Sequence, residues 1–209
     1  MELKIEKQCK GTRIILGDEA KNRRKVLNQI IEIAEKNGFG EIILPSIEPS
    51  QIYVDKAGNE ILDQMYVFED RANRELCLRP EVTATVQLVG EKFYRTKKDV
   101  KLWYFEKCYR YERPQKGRYR EFYQFGLEVI NPSSESIKDE LIEISKEMIK
   151  TITEEFVVTE NVKRGLDYYV EDGFEISVES LGAQKQVLGG GRYSNGIGFA
   201  IGFDRLMLC

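Results

Sequence analysis

Apolar residues recur along the chain with two different periods. Leu27, Ile30, Ile31 and Ala34 fall at i, i+3, i+4 and i+7, which predicts an amphipathic helix from about Asp18, its N-cap, to Asn37, with Gly38 as the glycine that ends it. "EIILPSIEPS" then predicts a strand broken at Pro45, since proline cannot donate to a ladder and suits an edge or a bend. A hairpin is expected around Asp70–Arg74, with strands at Met65–Glu69 and Glu75–Leu78. After Pro80, helical spacing returns at Val82, Val86, Val89 and Phe93. It returns again at Ile137, Leu141, Ile144 and Met148 in "NPSSESIKDELIEISKEMIK", with Pro132 near the first turn. "VKRGLDYYVEDGFEISVE" predicts two strands turning at Glu171–Gly173. "VLGGGRYSNGIGFAIGFDRLMLC" predicts a strand leading into a short helix near Gly202.

The centre of the chain alternates instead. From Leu102 to Glu112, Trp103, Phe105, Tyr109 and Tyr111 share one face, with Lys107 as the exception, and Tyr104, Glu106, Cys108, Arg110 and Glu112 share the other. Further on, Tyr123, Phe125, Leu127 and Val129 lie opposite Phe122, Gln124, Gly126 and Glu128. Each strand therefore has a core side and a side bearing charges, an amide and a glycine. Hairpins with interspersed helices, rather than βαβ alternation, predict an α+β fold, an antiparallel sheet flanked by helices.

Composition narrows the chemistry. A chain of 209 residues, 42% of them hydrophobic, suits one domain with a real core. Its 32 basic and 35 acidic residues leave a net charge of −3, so any anion site must be local, and a tRNA- or RNA-binding module without chemistry is disfavoured. The sequence contains no histidine, which excludes Ser-His-Asp and Cys-His catalysis and His-ligated metals within it. Cys9, Cys77, Cys108 and Cys209 lack C-x-x-C spacing and read as reduced thiols. With a charged start, "MELKIEKQCK", and no apolar run long enough to span a bilayer, the expectation is a cytoplasmic protein without signal peptide or membrane association.

Local positive charge is concentrated in "YRYERPQKGRYREFYQFGLEVI", Tyr109–Ile130, where Arg113, Lys116, Arg118 and Arg120 fall within eight residues between two strands. Arginine forks match phosphate oxygens, so the loop reads as a cover for a triphosphate lying on a polar floor of Arg110, Glu112, Gln124 and Glu128. The alternative is a solvated face with weak surface ion pairs. Gly126 favours the floor, because a strand glycine often marks close approach of a ligand or backbone. The glycines of "GGGRYSNGIGFAIGFDRL" can bring backbone N–H groups to an anion ahead of a helix. Arg205 stands in that helix's first turn, where the macrodipole disfavours a cation; either it serves an anion or its stem merely packs. In "LCLRPEVTA", Glu81 is a helix-capping acid or a ligand for an amine, with Thr83 beside it. Arg164, Asp167 and Tyr169 in "KRGLDYY" read on their own as structural.

Taken together, these stretches resemble the catalytic core of class II aminoacyl-tRNA synthetases, and within that class the histidyl-tRNA synthetase family. "KGTR" resembles an N-terminal signature of the family, "GFGEIILPSIEP" its motif 1, "YRYERPQKGRYREFYQ" motif 2 and "GFAIGFDRL" motif 3. "LRPEVTA" carries Val82 where the family has glycine, and "RGLDYY" and "GGGRY" resemble signatures of the histidine enzymes. The resemblance implies ATP and Mg²⁺ as cofactors, histidine as substrate, the acceptor stem of tRNA(His) as a further partner, and a homodimer built on motif 1. It implies that Arg110 holds the ATP α-phosphate, Arg118 the outer phosphates and Arg205 the γ-phosphate. Phe122 would stack on adenine, and Glu112 would lie near adenine or a phosphate-bound Mg²⁺, the protein itself supplying no other metal site. Glu81 and Thr83 would receive the α-amino group. Glu128, Tyr168 and Tyr169 would line the histidine site, Gln124 would stand near the carboxylate, and Arg164 beside the reacting carboxylate, making Arg164, Arg110 and Gln124 the catalytic set. The family's insertion between the helix after motif 2 and "RGLDYY" is expected to be missing, as is its anticodon-binding domain. Residues 1–209 would then form a single catalytic domain. A non-catalytic alternative resembles the histidine-sensing regulatory subunit of ATP phosphoribosyltransferase.

Overall fold

A computed structural model describes residues 7–56, 59–163, 166, 168–171 and 173–209. The elements run α1 (Gly17–Lys36), β1 (Gly40–Glu41), β2 (Ile47–Pro49), α2 (Gln51–Lys56), α3 (Asn59–Leu62), β3 (Tyr66–Glu69), β4 (Glu75–Leu78) and α4 (Thr83–Phe93). There follow β5 (Val100–Tyr109), β6 (Glu121–Ile130), α5 (Ile137–Ile149), β7 (Val157–Val162), β8 (Gly173–Ser177), a 3₁₀ segment (Glu179–Gln184), β9 (Gln186–Tyr193), β10 (Gly196–Gly202) and α6 (Phe203–Leu206). Seven strands form one sheet in the order β1-β5-β6-β10-β9-β8-β7, and β2-β4-β3 form a small second sheet. Pairing is antiparallel throughout except for β1, which lies parallel to β5. The chain thus has the α+β architecture that its hairpins predict.

The two faces of the large sheet are the two faces of the alternation. Trp103, Phe125, Leu127 and Val129 pack with Val26, Leu27, Ile30 and Ala34 of α1 and Leu141, Ile144 and Met148 of α5 in one core cluster. Trp103 and Phe125 stack at 5.6 Å between ring centres. Each such aliphatic or aromatic burial contributes about 1.5–3 kcal/mol, so this face holds the helices to the sheet. On the opposite face Val82 and Val86, at the start of α4, cover Leu102, Tyr104 and Ile130. Because α4 covers only part of that face, the polar side chains of β5 and β6 are left beside a cleft.

Several local expectations are corrected. Helix α1 begins one residue before Asp18: Gly17 takes φ +60°, open to glycine, and Leu16 is the residue before the first turn. Asp18 and Glu19 sit in that turn near the positive end of the helix without a side-chain cap bond. Strand β5 stops at Tyr109, because the Arg110 N–H turns to the Arg120 carbonyl and the Tyr111 N–H to that of Gln64. Pro132 lies outside α5, which starts after Ser136. The neighbours of β8 are β7, upstream of the segment expected to pair with it, and β9; Tyr169 makes an isolated bridge to Tyr193. The strand expected ahead of the short helix is two strands, β9 and β10, with Ser194 and Asn195 between them. Gly189, Gly190 and Gly191 lie inside β9 and pair with Ala200, Phe199 and Gly198 of β10.

Candidate functional site

A cleft of about 350 Å³ opens on the α4 side of the large sheet, at the end of β5 and β6. Among the residues that line it are Glu81, Thr83, Arg110, Glu112, Arg118, Phe122, Gln124, Tyr168, Tyr169 and Arg205. Residues far apart in sequence thus meet in one space, as the candidate chemistry requires. Glu128 does not line the cleft. It lies one layer beneath, 1% exposed. Arg164 and Asp167 lie outside the described residues.

The cationic side of the cleft comes from three elements. Arg110, just past β5, donates from Nε to the Pro80 carbonyl at 2.8 Å and holds its guanidinium 5.4 Å from the centre of the Phe122 ring. Arg118 pairs with Glu112 across the loop. Arg205, in α6, donates to the Gly117 carbonyl at 3.1 Å and the Gln186 carbonyl at 2.5 Å. Burial first, and then the guanidiniums of Arg118 and Arg110, pull the Arg205 pKa below its ordinary value. That repulsion is what a polyanion in the cleft would relieve. Of the four basic loop residues, however, only Arg118 faces the cleft. Arg113 and Lys116 are exposed, and Arg120 lies 4.0 Å over the Tyr111 ring with its Nε bonded to the Glu112 carbonyl. The loop meets the cleft through Gly117, Arg118 and Tyr119, and its remaining charge is divided between solvent and the stacking of Arg120.

The acidic side is buried and hydrogen-bonded. Glu81 accepts from the N–H groups of Thr83 at 2.7 Å and Ala84 at 2.9 Å, so the helix-capping role is realised at the start of α4. Its Oε2 also accepts from the Tyr168 hydroxyl at 3.3 Å. Burial raises the Glu81 pKa against the pull of these donors and of Arg110. The Thr83 hydroxyl donates to Glu128 Oε1 at 2.8 Å, and the Tyr193 hydroxyl to Oε2 at 3.0 Å. With only neutral partners, Glu128 is pushed up to about 8 by burial. Gln124 accepts from the Cys108 thiol at 3.1 Å.

The glycines make room for this arrangement. Tyr104 lies across from Gly126, and its ring fills the space that a Cβ there would need. The expected close approach at Gly126 is therefore a neighbouring aromatic ring. Gly198, paired with Glu128 on the adjoining strand, does the same for the buried carboxylate.

Reading the sequence missed Tyr193, whose hydroxyl holds Glu128, and Asp204, whose Oδ1 accepts from Arg13 at 2.7 Å and pairs with Arg23 at 3.0 Å. An acid in the first turn of a predicted helix was a signal for Asp204; for Tyr193 only the position after the glycines marked it. Among the described residues no group of three or more His, Cys, Asp or Glu could hold a metal ion. No described helix is long and apolar enough to cross a membrane. All four cysteines are free thiols.

The antiparallel sheet with its flanking helices has the fold of class II aminoacyl-tRNA synthetase catalytic domains. The apo histidyl-tRNA synthetase of S. aureus superposes with a TM-score of 0.79 at 26% identity, over 99% of this chain and 69% of that one. A Bacillus halodurans protein described as an ATP phosphoribosyltransferase regulatory subunit/histidyl-tRNA synthetase shares the fold, with a TM-score of 0.81 at 17% identity over 100% of this chain and 84% of that one. The histidyl-tRNA synthetase family profile matches residues 11–162. A histidine–tRNA ligase of Archaeoglobus fulgidus is 30% identical over 98% of this chain and 76% of its own length, and one of Methanospirillum hungatei JF-1 is 30% identical over 95% and 74%. The chain belongs to the histidyl-tRNA synthetase family. The span matched in the Archaeoglobus protein is 310 residues long against 209 here, so about a hundred of its residues have no counterpart. In this structure only 150–156 connect α5 to β7.

Proposed function

We propose that this protein activates histidine with ATP, releasing pyrophosphate and forming histidyl-adenylate, which then serves the acceptor stem of tRNA(His). The observation that carries this reading is the convergence of Arg110, Arg118 and Arg205 on one cleft that also holds Glu81 and Thr83. In the reaction a carboxylate oxygen of histidine attacks the α-phosphorus, and the bond to the β-phosphate oxygen breaks in line. Charge grows on the phosphate oxygens and the leaving pyrophosphate, so cations fixed beforehand lower the barrier and no protein nucleophile is needed. Arg110 would hold the α-phosphate, Arg118 would leave Glu112 for the outer phosphates, and Arg205 would meet the γ-phosphate. Phe122 would stack on adenine. Glu81 and Thr83 would take the ammonium group, Gln124 the carboxylate, and Tyr168 and Tyr169 the imidazole side, with Glu128 acting from beneath through Thr83. Arg164 would stand by the reacting carboxylate. Mg²⁺ would arrive on the triphosphate, with Glu112 as its nearest protein oxygen.

The reading treats residues 1–209 as one catalytic domain acting in the cytoplasm as a homodimer. The exposed Ile43, Ile47, Val67 and Phe68 supply apolar surface for such a contact. A non-catalytic histidine sensor is the competing reading, supported by the fold shared with the Bacillus halodurans protein. The three cleft arginines favour the enzyme, since a sensor has no need of a triphosphate site. Histidine-dependent ATP–pyrophosphate exchange decides between them. Exchange that disappears in Arg110→Ala is expected; histidine binding without ATP binding or exchange would establish the sensor.

A further inference from the structure

Arg13 joins two parts of the cleft wall, at Tyr119 and Asp204, and is itself 191 residues from Asp204 in the sequence. Its Nη2 lies 2.7 Å from Oδ1 of Asp204, the residue before Arg205, and its guanidinium carbon lies 4.2 Å from the centre of the Tyr119 ring, next to Arg118. The backbone strengthens the same junction. The Arg120 N–H donates to the Gly11 carbonyl at 2.8 Å, and Gly11, at φ +83°, leaves no space for a Cβ, which would stand 2.7 Å from Arg120 Cγ and 2.9 Å from Pro114 Cγ. On the far side, Asp204 Oδ2 accepts from the Tyr123 N–H at 2.6 Å, fixing α6 to β6. Arg13 is not among the residues that line the cleft.

We propose that Arg13 is a positioning residue that fastens the loop carrying Arg118 to the turn carrying Arg205, and so sets the spacing of two phosphate-binding guanidiniums. The proposal rests on the ATP reading of the cleft. A flat guanidinium stacks on a ring face while its rigid fork donates at the edge, a geometry that the single, non-planar ammonium of lysine matches less closely. Arg23 remains 3.0 Å from Asp204 Oδ1, so removing Arg13 frees the loop without leaving a bare buried carboxylate. Arg13→Ala is accordingly expected to fold.

The test compares the unaltered protein with Arg13→Ala and Arg13→Lys. The first readout is the rate of limited tryptic cleavage after Lys116, Arg118 and Arg120, which needs no catalysis. The second is the KM for ATP and for histidine in pyrophosphate exchange. We expect cleavage in Arg13→Ala to be severalfold faster and the ATP KM to rise about tenfold, the loss expected for one charge-assisted contact. The histidine KM and Tm should stay close to those of the unaltered protein. Arg13→Lys should restore part of the ATP KM but little of the protection from trypsin. Unchanged cleavage with an unchanged ATP KM overturns the proposal, as does a lower Tm with both KM values raised alike. If the unaltered protein shows no exchange, the proposed activity falls, and the cleavage rates alone decide the role of Arg13.

Discussion

Glu128 and Gly198 face each other across the β6–β10 ladder, and the carboxylate occupies the space that any side chain at position 198 would need. A Cβ there would also press on the Leu127 carbonyl, and backbone cannot give way as a flexible side-chain end can. Gly198→Ala is therefore expected to lower stability by about 1–3 kcal/mol, in the range of overpacked cores. Urea unfolding measures it, and a variant as stable as the original would refute the packing account.

The same carboxylate makes stability depend on pH. Burial pushes Glu128 up to about 8, whereas its ordinary value is 4.5, so the folded protein binds this proton more tightly than the unfolded chain. Its contribution is complete below pH 4.5 and is lost as pH climbs through about 8. Glu81 and Glu48, also raised by burial, act in the same direction. The ligand-free protein should lose Tm between pH 5 and 9. Glu128→Gln, which keeps the shape and stays neutral, should flatten that slope by at most about 5 kcal/mol over the interval. Parallel profiles for the two proteins would exclude Glu128 as the source.

Arg205 stands in the opposite situation, a cation kept among cations. Arg205→Met removes two hydrogen bonds to carbonyls but also removes repulsion with Arg118 and Arg110. The two effects oppose each other, so the ligand-free stability should change by no more than about 1 kcal/mol. On the proposed reading ATP with Mg²⁺ should raise the Tm of the unaltered protein, and that rise should vanish in the variant. A variant that keeps the ATP-induced shift would remove Arg205 from the phosphate site.

What the sequence shows and what it hides divide along physical lines. Period-2 alternation identified the core face of β5 and β6 and the polar face that floors the cleft, because side-chain direction in a strand is a local property. Arg110, Glu112, Arg118, Gln124 and Arg205 were candidates from their own surroundings and Phe122 from the family resemblance, and all six line one cleft. The glycines of β9 and β10 predict one strand leading into a helix, and the fold makes them two paired strands. Their reason lies in neighbours on other strands, such as Glu128 at Gly198, and nothing in the run "GGG" records it. Arg13 and Asp204, 191 residues apart, are paired only by the fold.

Arg79 belongs to the same hidden class, and it offers the largest expected loss. Its side chain is fully buried. It donates to the carbonyls of Leu44 at 3.2 Å, Pro45 at 2.9 Å and Lys107 at 2.9 Å, and to Glu106 Oε2 at 2.8 Å. Glu106 in turn accepts from the Leu44 N–H at 2.8 Å through its other oxygen. One guanidinium therefore joins the turn between the two sheets to β5, directly before Pro80 and Glu81. Arg79→Met would strand Glu106 and three carbonyls, a loss of about 3–5 kcal/mol as for other broken buried pairs. Adding Glu106→Gln should recover part of that loss, because the stranded charge is gone, and the recovered part measures the coupling between the two. Urea unfolding of the single and double variants gives both numbers. A single variant within about 1 kcal/mol of the unaltered protein would show that the backbone around residue 79 holds itself without the arginine, and a double variant no better than the sum of the singles would show that Arg79 and Glu106 are not coupled.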